Sequence, residues 1–278
     1  MAARHHSMVI RSRQSALGAA TAIILLAAAG CSVSDEQEIA LGREHAQQIA
    51  AKLLLVTDTG ITSYVQELGV RLASRTTRAD LPWRFSVIDS KDVNAFALPG
   101  GFIYVNRGLI EHVDRMDELA GVLGHEIGHV VRRHGVQQLK RSGGTRIGIA
   151  VFCGLTSLCD SRVTRIAIDV GGAAWLARNS RAAEAEADSE AVANTLRAGI
   201  SPEGIPALFT VLLSVREHEP GLVQTFFGSH PIEEERISAT KHTVDRVDPE
   251  IERTLDHDDA AFRAMKERLL ALKAPSQR

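Results

Sequence analysis

Aromatic residues are scarce in this sequence: eight Phe, two Trp and two Tyr make up 4% of 278 residues. So few rings argue against a stacking platform for single-stranded nucleic acid. A basic surplus is missing too, with 32 Lys and Arg against 34 Asp and Glu and a formal net charge of −2, so no nucleic-acid partner is indicated. Cysteine occurs only at Cys31, Cys153 and Cys159, which excludes a disulfide-rich scaffold. There is no repeat period, and no run of about 20 unbroken apolar residues of the kind a membrane helix needs. The longest apolar stretch, Gly143 to Ala177, is interrupted by Arg146, Asp160, Arg162, Arg165 and Asp169 and reads as a helical excursion or hairpin beside the core. What remains is ordinary globular composition, 45% hydrophobic and 24% charged, long enough for one large domain or two small ones. Plentiful alanine favours helices.

The first thirty residues read as an export signal. Arg4, Arg11 and Arg13 precede an apolar stretch from Ala16 to Gly30, and no acidic residue occurs before Asp35. The stretch ends Ala28-Ala29-Gly30-Cys31, which resembles a bacterial lipobox, although position 28 is often Leu in such boxes. The expectation is cleavage after residue 30, lipidation of Cys31, a tether over 31–36 and one folded domain over 37–274. Ser32, rather than an aspartate, follows the cysteine and favours the periplasmic face of the outer membrane. A plain signal peptide with a soluble periplasmic product, or an inner-membrane anchor helix, is the alternative. In an exported chain Cys153 and Cys159 can form a disulfide; otherwise they are two reduced, buried thiols.

Periodicity predicts helices over Glu38–Leu55 and Ile61–Ser74, with Asp58-Thr59-Gly60 as a turn between them. A strand is expected from Trp83 to Asp89, followed by two strands around the Pro99-Gly100-Gly101 turn. Further helices are read from near Asn106, from Asp114 to Arg133 with Gly135 as a stop, and from Arg181 to Arg197. Ser201–Arg216, Glu233–Asp245 and Asp258–Lys273 complete the helical set, with a loop at Gly228–Pro231. The class is therefore α+β and mainly helical.

The chemistry sits on two of these helices. Positions i and i+4 share a helix face, so His125 and His129 can present two imidazoles to one metal ion. Glu126, one residue round, can take a proton from water at that ion. A catalytic zinc takes three protein ligands and keeps one position open. A metzincin would require Gly at 132 and His at 135, where this chain has Arg132 and Gly135, so that class is excluded. The third ligand is sought in Glu184-Ala185-Glu186-Ala187-Asp188, where Glu184 and Asp188 are again four apart. Glu184 can bind the metal while Asp188 orients a ligand histidine through its free ring nitrogen. The residue types alone leave Glu186 open as the ligand.

His125-Glu126-Ile127-Gly128-His129, Glu184 to Asp188, and Asn94-Ala95-Phe96-Ala97-Leu98-Pro99-Gly100-Gly101 together resemble the M48 family of zinc peptidases over roughly Glu36 to Arg246. The resemblance implies a zincin-like domain with a small β-sheet beside the active-site helix, one zinc ion per chain, and Glu184 as the third ligand. It also implies roles for Ser229-His230-Pro231 and Arg236. His230 would be an oxyanion donor or an inhibitory fourth ligand, and Arg236 an oxyanion donor unless it forms a surface salt bridge. Phe102, Ile103 and Tyr104 are expected at the active-site rim, with an exposed strand edge that pairs with an extended peptide. His134, five after His129, is read as structural; His5 and His6 fall in the leader, and His45, His112, His218, His242 and His257 are read as surface or packing residues.

The function expected is a zinc-dependent endopeptidase acting on unfolded or misassembled envelope proteins, tethered to the membrane by a lipid on Cys31. The rival is a periplasmic chaperone or assembly adaptor that keeps zinc for structure, which would have no need of Glu126. A membrane-embedded peptidase is opposed by the lack of long apolar segments. No helical-repeat extension is evident.

Overall fold

A computed structural model describes residues 33–141 and 179–273. The expectations for the leader, for Cys31, for Cys153 and Cys159 and for 143–177 fall outside the described residues. Helix α1 (Asp35–Lys52) opens the described chain and is followed by α2 (Thr59–Ala73), whose N-terminus is capped by Asp58 accepting from Ile61 N at 3.2 Å. Strands β1 (Arg84–Ile88), β2 (Ala95–Leu98) and β3 (Phe102–Asn106) form one small sheet. Helices α3 (Arg107–His112), α4 (Met116–Val131) and α5 (His134–Arg141) complete the segment 33–141. After it come α6 (Arg181–Arg197), α7 (Gly204–His218), α8 (Pro220–Ser229), α9 (Glu234–Val244), α10 (Pro249–Glu252) and α11 (Ala260–Ala271). The protein is thus mainly helical with a three-stranded sheet, as its periodicities predict. Among the described residues, no helix is long and apolar enough to cross a membrane.

The sheet order is β1-β3-β2, with β1 and β3 parallel and β2 and β3 antiparallel. Both faces of β2 and β3 are covered, which explains why these two strands are nearly continuous apolar runs. Ala95, Ile103 and Val105 face the main core with Phe85 and Val87, while Phe96, Leu98 and Tyr104 pack with Ile49 of α1 and with Leu53 just beyond it. The β2–β3 turn needs glycine: Gly100 and Gly101 have φ of 75° and 95°.

A single buried carboxylate closes this corner. Glu38 of α1 accepts both terminal nitrogens of Arg78 at 3.0 Å, Gly100 N at 3.1 Å and, as an ion pair, Arg133 Nε at 2.9 Å. Arg78 also donates to Val130 O at 2.9 Å, so α1, the turn and the end of α4 are held together.

Helix α4 is the centre of the molecule. Every residue from Met116 to Val130 is buried, as expected for a helix apolar on all sides apart from its chemical groups. Glu118 reaches back to accept Asp114 N at 2.6 Å and so satisfies a free amide at the helix start. Small residues let the partner helices come close. A Cβ on Gly124 would lie 3.3 Å from Ala191 Cα, and one on Gly128 would lie 2.9 Å from Ala187 O, both on α6. The glycine inside the His125–His129 run therefore brings α6, with Glu184 and Asp188, against the two histidines.

Two boundaries differ from the sequence reading. The stop after α4 is made by Arg133, which takes φ of 57°, and Gly135 lies inside α5. Such a backbone is strained for a residue with a Cβ, and the ion pair from Arg133 to Glu38 helps to hold it there. Helix α8 replaces part of an expected loop, with Pro220 at its first turn where a missing N–H costs nothing.

Candidate metal centre

Helices α4 and α6 bring the three principal groups together. His125 Nε2 and His129 Nε2 stand 3.0 Å apart. Glu184 places Oε2 at 3.4 Å from the first and Oε1 at 3.3 Å from the second. His230, at the end of α8, adds Nδ1 at 3.1 Å from Glu184 Oε1 and 3.3 Å from His125 Nε2. Ligands bonded at about 2.0–2.1 Å to one tetrahedral ion lie about 3.3 Å from each other. The four side chains are buried, and their donor atoms lie within 4.8 Å of one another, so the group could hold a metal ion. Glu126 offers a second test of fit. Its carboxylate is buried, and among the described residues Oε1 has no hydrogen-bond partner, although His230 Nε2 stands 3.5 Å away, an uncommon condition for a buried acceptor unless a further ligand or water belongs there.

Electrostatics set these groups apart. Burial resists charge at His125, but hydrogen bonds to Asp188 and Glu184 outweigh it and carry the imidazole up to about 9. At His129 burial prevails and the pKa falls to about 3. Burial raises Glu126 above the usual carboxylate range. It also acts upward on Glu184, where the neighbouring His230 and His125 more than reverse it and leave the carboxyl well below that range. The same contest at Asp188 is won by the bonds to Arg236 and His125, and the pKa is about 2. Each shift follows from contacts that the fold imposes.

Behind the ligands lies a supporting layer. Asp188 Oδ1 is 2.9 Å from His125 Nδ1, the arrangement expected of a carboxylate orienting an imidazole. Arg236 of α9 grips both α6 carboxylates, with Nη1 at 2.6 Å from Glu184 Oε2, Nε at 2.5 Å from Asp188 Oδ2 and Nη2 at 2.8 Å from Asp188 Oδ1. Nη1 also reaches Pro231 O at 3.1 Å, and the guanidinium lies 5.1 Å from the Phe209 ring centroid.

Three expectations change in detail. Arg236 is neither an exposed salt bridge nor a free donor. Its side chain is only 9% exposed and each of its nitrogens is already engaged, so nothing remains to steady an oxyanion. Phe102, Ile103 and Tyr104 belong to β3, the central strand, whose two edges are taken by β1 and β2. They therefore cannot pair with a peptide. The free edge among the described strands beside the site is β2, and Phe96 and Ala97 line a cleft with Glu126, His134, Asn179 and His230. His134 does more than fill space: its Nδ1 lies 2.9 Å from His129 Nδ1 and its Nε2 lies 3.3 Å from Glu186 Oε2. Helical spacing from His129 missed it because the bend at Arg133 turns the chain back before His134. Glu186 makes this contact and is not among the candidate ligand group.

Comparison with known proteins follows the same lines. The family model for peptidase family M48 matches residues 61–244. The beta-barrel assembly-enhancing protease of Escherichia coli (strain K12) is 26% identical over 230 residues, covering 80% of this chain and 46% of that protein. Metalloprotease LoiP of the same organism is 28% identical over 225 residues, 78% of this chain and 82% of its own. Metalloprotease YcaL, also from that strain, is 33% identical over 167 residues, 60% and 63% of the two chains. The chain spans about half the length of the beta-barrel assembly-enhancing proteases it matches.

Proposed function

The chain belongs to peptidase family M48, and from that premise we propose that it is a zinc-dependent endopeptidase acting on unfolded or misassembled proteins of the cell envelope. The observation that carries the reading is the convergence of His125, His129, Glu184 and His230 beside a buried Glu126 oxygen without a hydrogen bond among the described residues. His125, His129 and Glu184 would hold the zinc. When bound, the metal supplies Lewis-acid polarisation of the scissile carbonyl and a more acidic water.

Glu126 takes the proton of the attacking water and passes it to the leaving amine, a task suited to a carboxylate whose pKa burial has raised. His230 would cap the metal at rest, since its Nδ1 lies among the other ligand atoms and its Nε2 is 3.5 Å from Glu126 Oε1. That ring would have to move aside to leave open the position catalysis needs. Asp188 and Arg236 fix the ligands from behind and touch no reacting atom.

The peptide pairs with β2. Asn106 N donates to Asn94 O at 2.9 Å, so the antiparallel alternation makes Phe96–Tyr104 and Leu98–Phe102 the next hydrogen-bonded pairs. The amides and carbonyls of Ala95 and Ala97 then point to the free edge. Recognition through main-chain bonds needs an extended segment and little side-chain identity, which suits unfolded chains and spares folded ones. Relatives named for β-barrel assembly point to envelope proteins as substrates, and lipidation at Cys31 would place the enzyme at the membrane surface.

The test is cleavage of an unfolded reporter protein by purified wild type and Glu126→Gln, with zinc measured in both. Wild type should cleave, lose activity to a chelator and regain it with zinc, while Glu126→Gln binds zinc and is inactive. Equal cleavage by the two proteins, or full activity without metal, would overturn the assignment.

A further inference from the structure

Resting on the zinc reading above, we infer that His134 and Glu186 form a hydrogen-bond relay that holds the His129 ring in its metal-binding orientation. The two ligand histidines face a common problem. Each turns Nε2 toward the shared centre, 3.0 Å apart, and each needs a partner at Nδ1 to fix its tautomer and its ring angle. His125 finds Asp188 Oδ1 at 2.9 Å. Among the described residues no carboxylate bonds His129 Nδ1; His134 Nδ1 lies there instead, at 2.9 Å.

Two like ring nitrogens can bond only if one carries the proton and the other accepts it. With Nε2 of His129 given to a metal, its proton sits on Nδ1 and donates to His134 Nδ1. His134 is then protonated on Nε2, and that N–H faces Glu186 Oε2 at 3.3 Å. The order is carboxylate, imidazole, imidazole, metal, and it satisfies every ring nitrogen of both histidines. The opposite tautomer would leave His129 Nε2 protonated among the other ligand atoms and His134 Nε2 without a proton to offer the carboxylate.

The local fold serves this arrangement. The left-handed Arg133 ends α4 two residues after Val131 and starts α5 with His134 turned back on His129, at rings 5.0 Å apart and 68° to each other. His134 is 6% exposed although it begins a helix, while Glu186 is half-exposed and reaches it from α6. The centre is thus braced on both flanks by residues of α6, Asp188 directly and Glu186 through one intervening ring. His134 and Glu186 are positioning residues and contact no reacting atom.

The experiment measures zinc affinity by chelator competition in full-length wild type, His134→Ala, His134→Asn, Glu186→Ala and the Ala/Ala double variant. The visible spectrum of the cobalt-substituted proteins and the thermal midpoint of each metal-free form are recorded alongside. His134→Ala is expected to weaken zinc binding by about 10–100-fold and to change the cobalt spectrum, with an unaltered metal-free midpoint. Asn places an acceptor near the same point and should restore most of the affinity. Glu186→Ala should weaken binding by less, and the double variant should be no weaker than His134→Ala alone. Native zinc affinity in His134→Ala, or His134→Asn as weak as His134→Ala, would overturn the relay while leaving the zinc site standing. Failure of wild type itself to bind zinc would remove both.

Discussion

Proline at Ala97 should weaken substrate binding while leaving the fold intact, whereas proline one residue earlier should disrupt the fold itself. The register sends the Ala97 amide to the free edge of β2, so its loss breaks no bond to β3. Edge strands tolerate proline when the missing N–H faces outward. If substrate pairs there, one main-chain hydrogen bond worth about 0.5–1.5 kcal/mol disappears, a fall in kcat/KM of about two- to twelve-fold. The ring adds steric exclusion to that loss. Phe96 is different: its amide bonds to β3 and its ring is buried, stacked on Tyr104 with centroids 5.1 Å apart. Phe96→Pro should cost about 3–5 kcal/mol from the ring alone. The assay is steady-state cleavage of an unstructured peptide, together with thermal and denaturant unfolding of both variants. Native kcat/KM in a folded Ala97→Pro enzyme would refute pairing along β2. Unfolding of Ala97→Pro with survival of Phe96→Pro would refute the register itself.

Glu126→Gln should keep zinc and stability yet lower kcat by at least about 10²-fold, read by metal analysis beside activity. Gly42→Ala should destabilise the protein by about 1–3 kcal/mol in denaturant unfolding, because the new Cβ would stand 1.9 Å from Pro99 O, a backbone atom that cannot step aside cheaply. Only two tyrosines exist, and both resist ionisation: burial carries Tyr104 up to about 12, while burial and Asp259 carry Tyr64 higher still. Their folded pKa values exceed the ordinary 10.0, so the stability they contribute is complete below pH 10 and is lost as pH rises beyond it. Phenolate absorbance should accordingly stay low in the native protein at that pH and rise on unfolding; a normal titration of the folded chain would contradict this.

Much of the centre was legible because its residues obey one-helix spacing. His125 with His129, and Glu184 with Asp188, are i, i+4 pairs whose meaning needs only the geometry of a helix. The sheet was harder. Strand positions around Pro99-Gly100-Gly101 follow from turn chemistry, but strand order does not, and β1 inserting its pairing beside β3 made Phe102 to Tyr104 central. His134 was obscured by a backbone bend at a non-glycine residue, for which no local pattern gives warning. Arg236 could be matched to a family motif, yet its side of the centre depends on how α9 lies against α6.

Glu38 has a practical consequence for anyone shortening this protein. The segment matched by the family begins at residue 61 and ends at 244. A fragment cut to those limits would strip Arg78 and Arg133 of their shared counter-ion and release the bend that delivers His134. It would also uncover the surface now shielded by Phe262, Met265 and Leu269 of α11, each of which contributes about 1.5–3 kcal/mol by its burial. A fragment meant to keep these contacts must therefore reach past both edges of the family match, from Asp35 to Ala271.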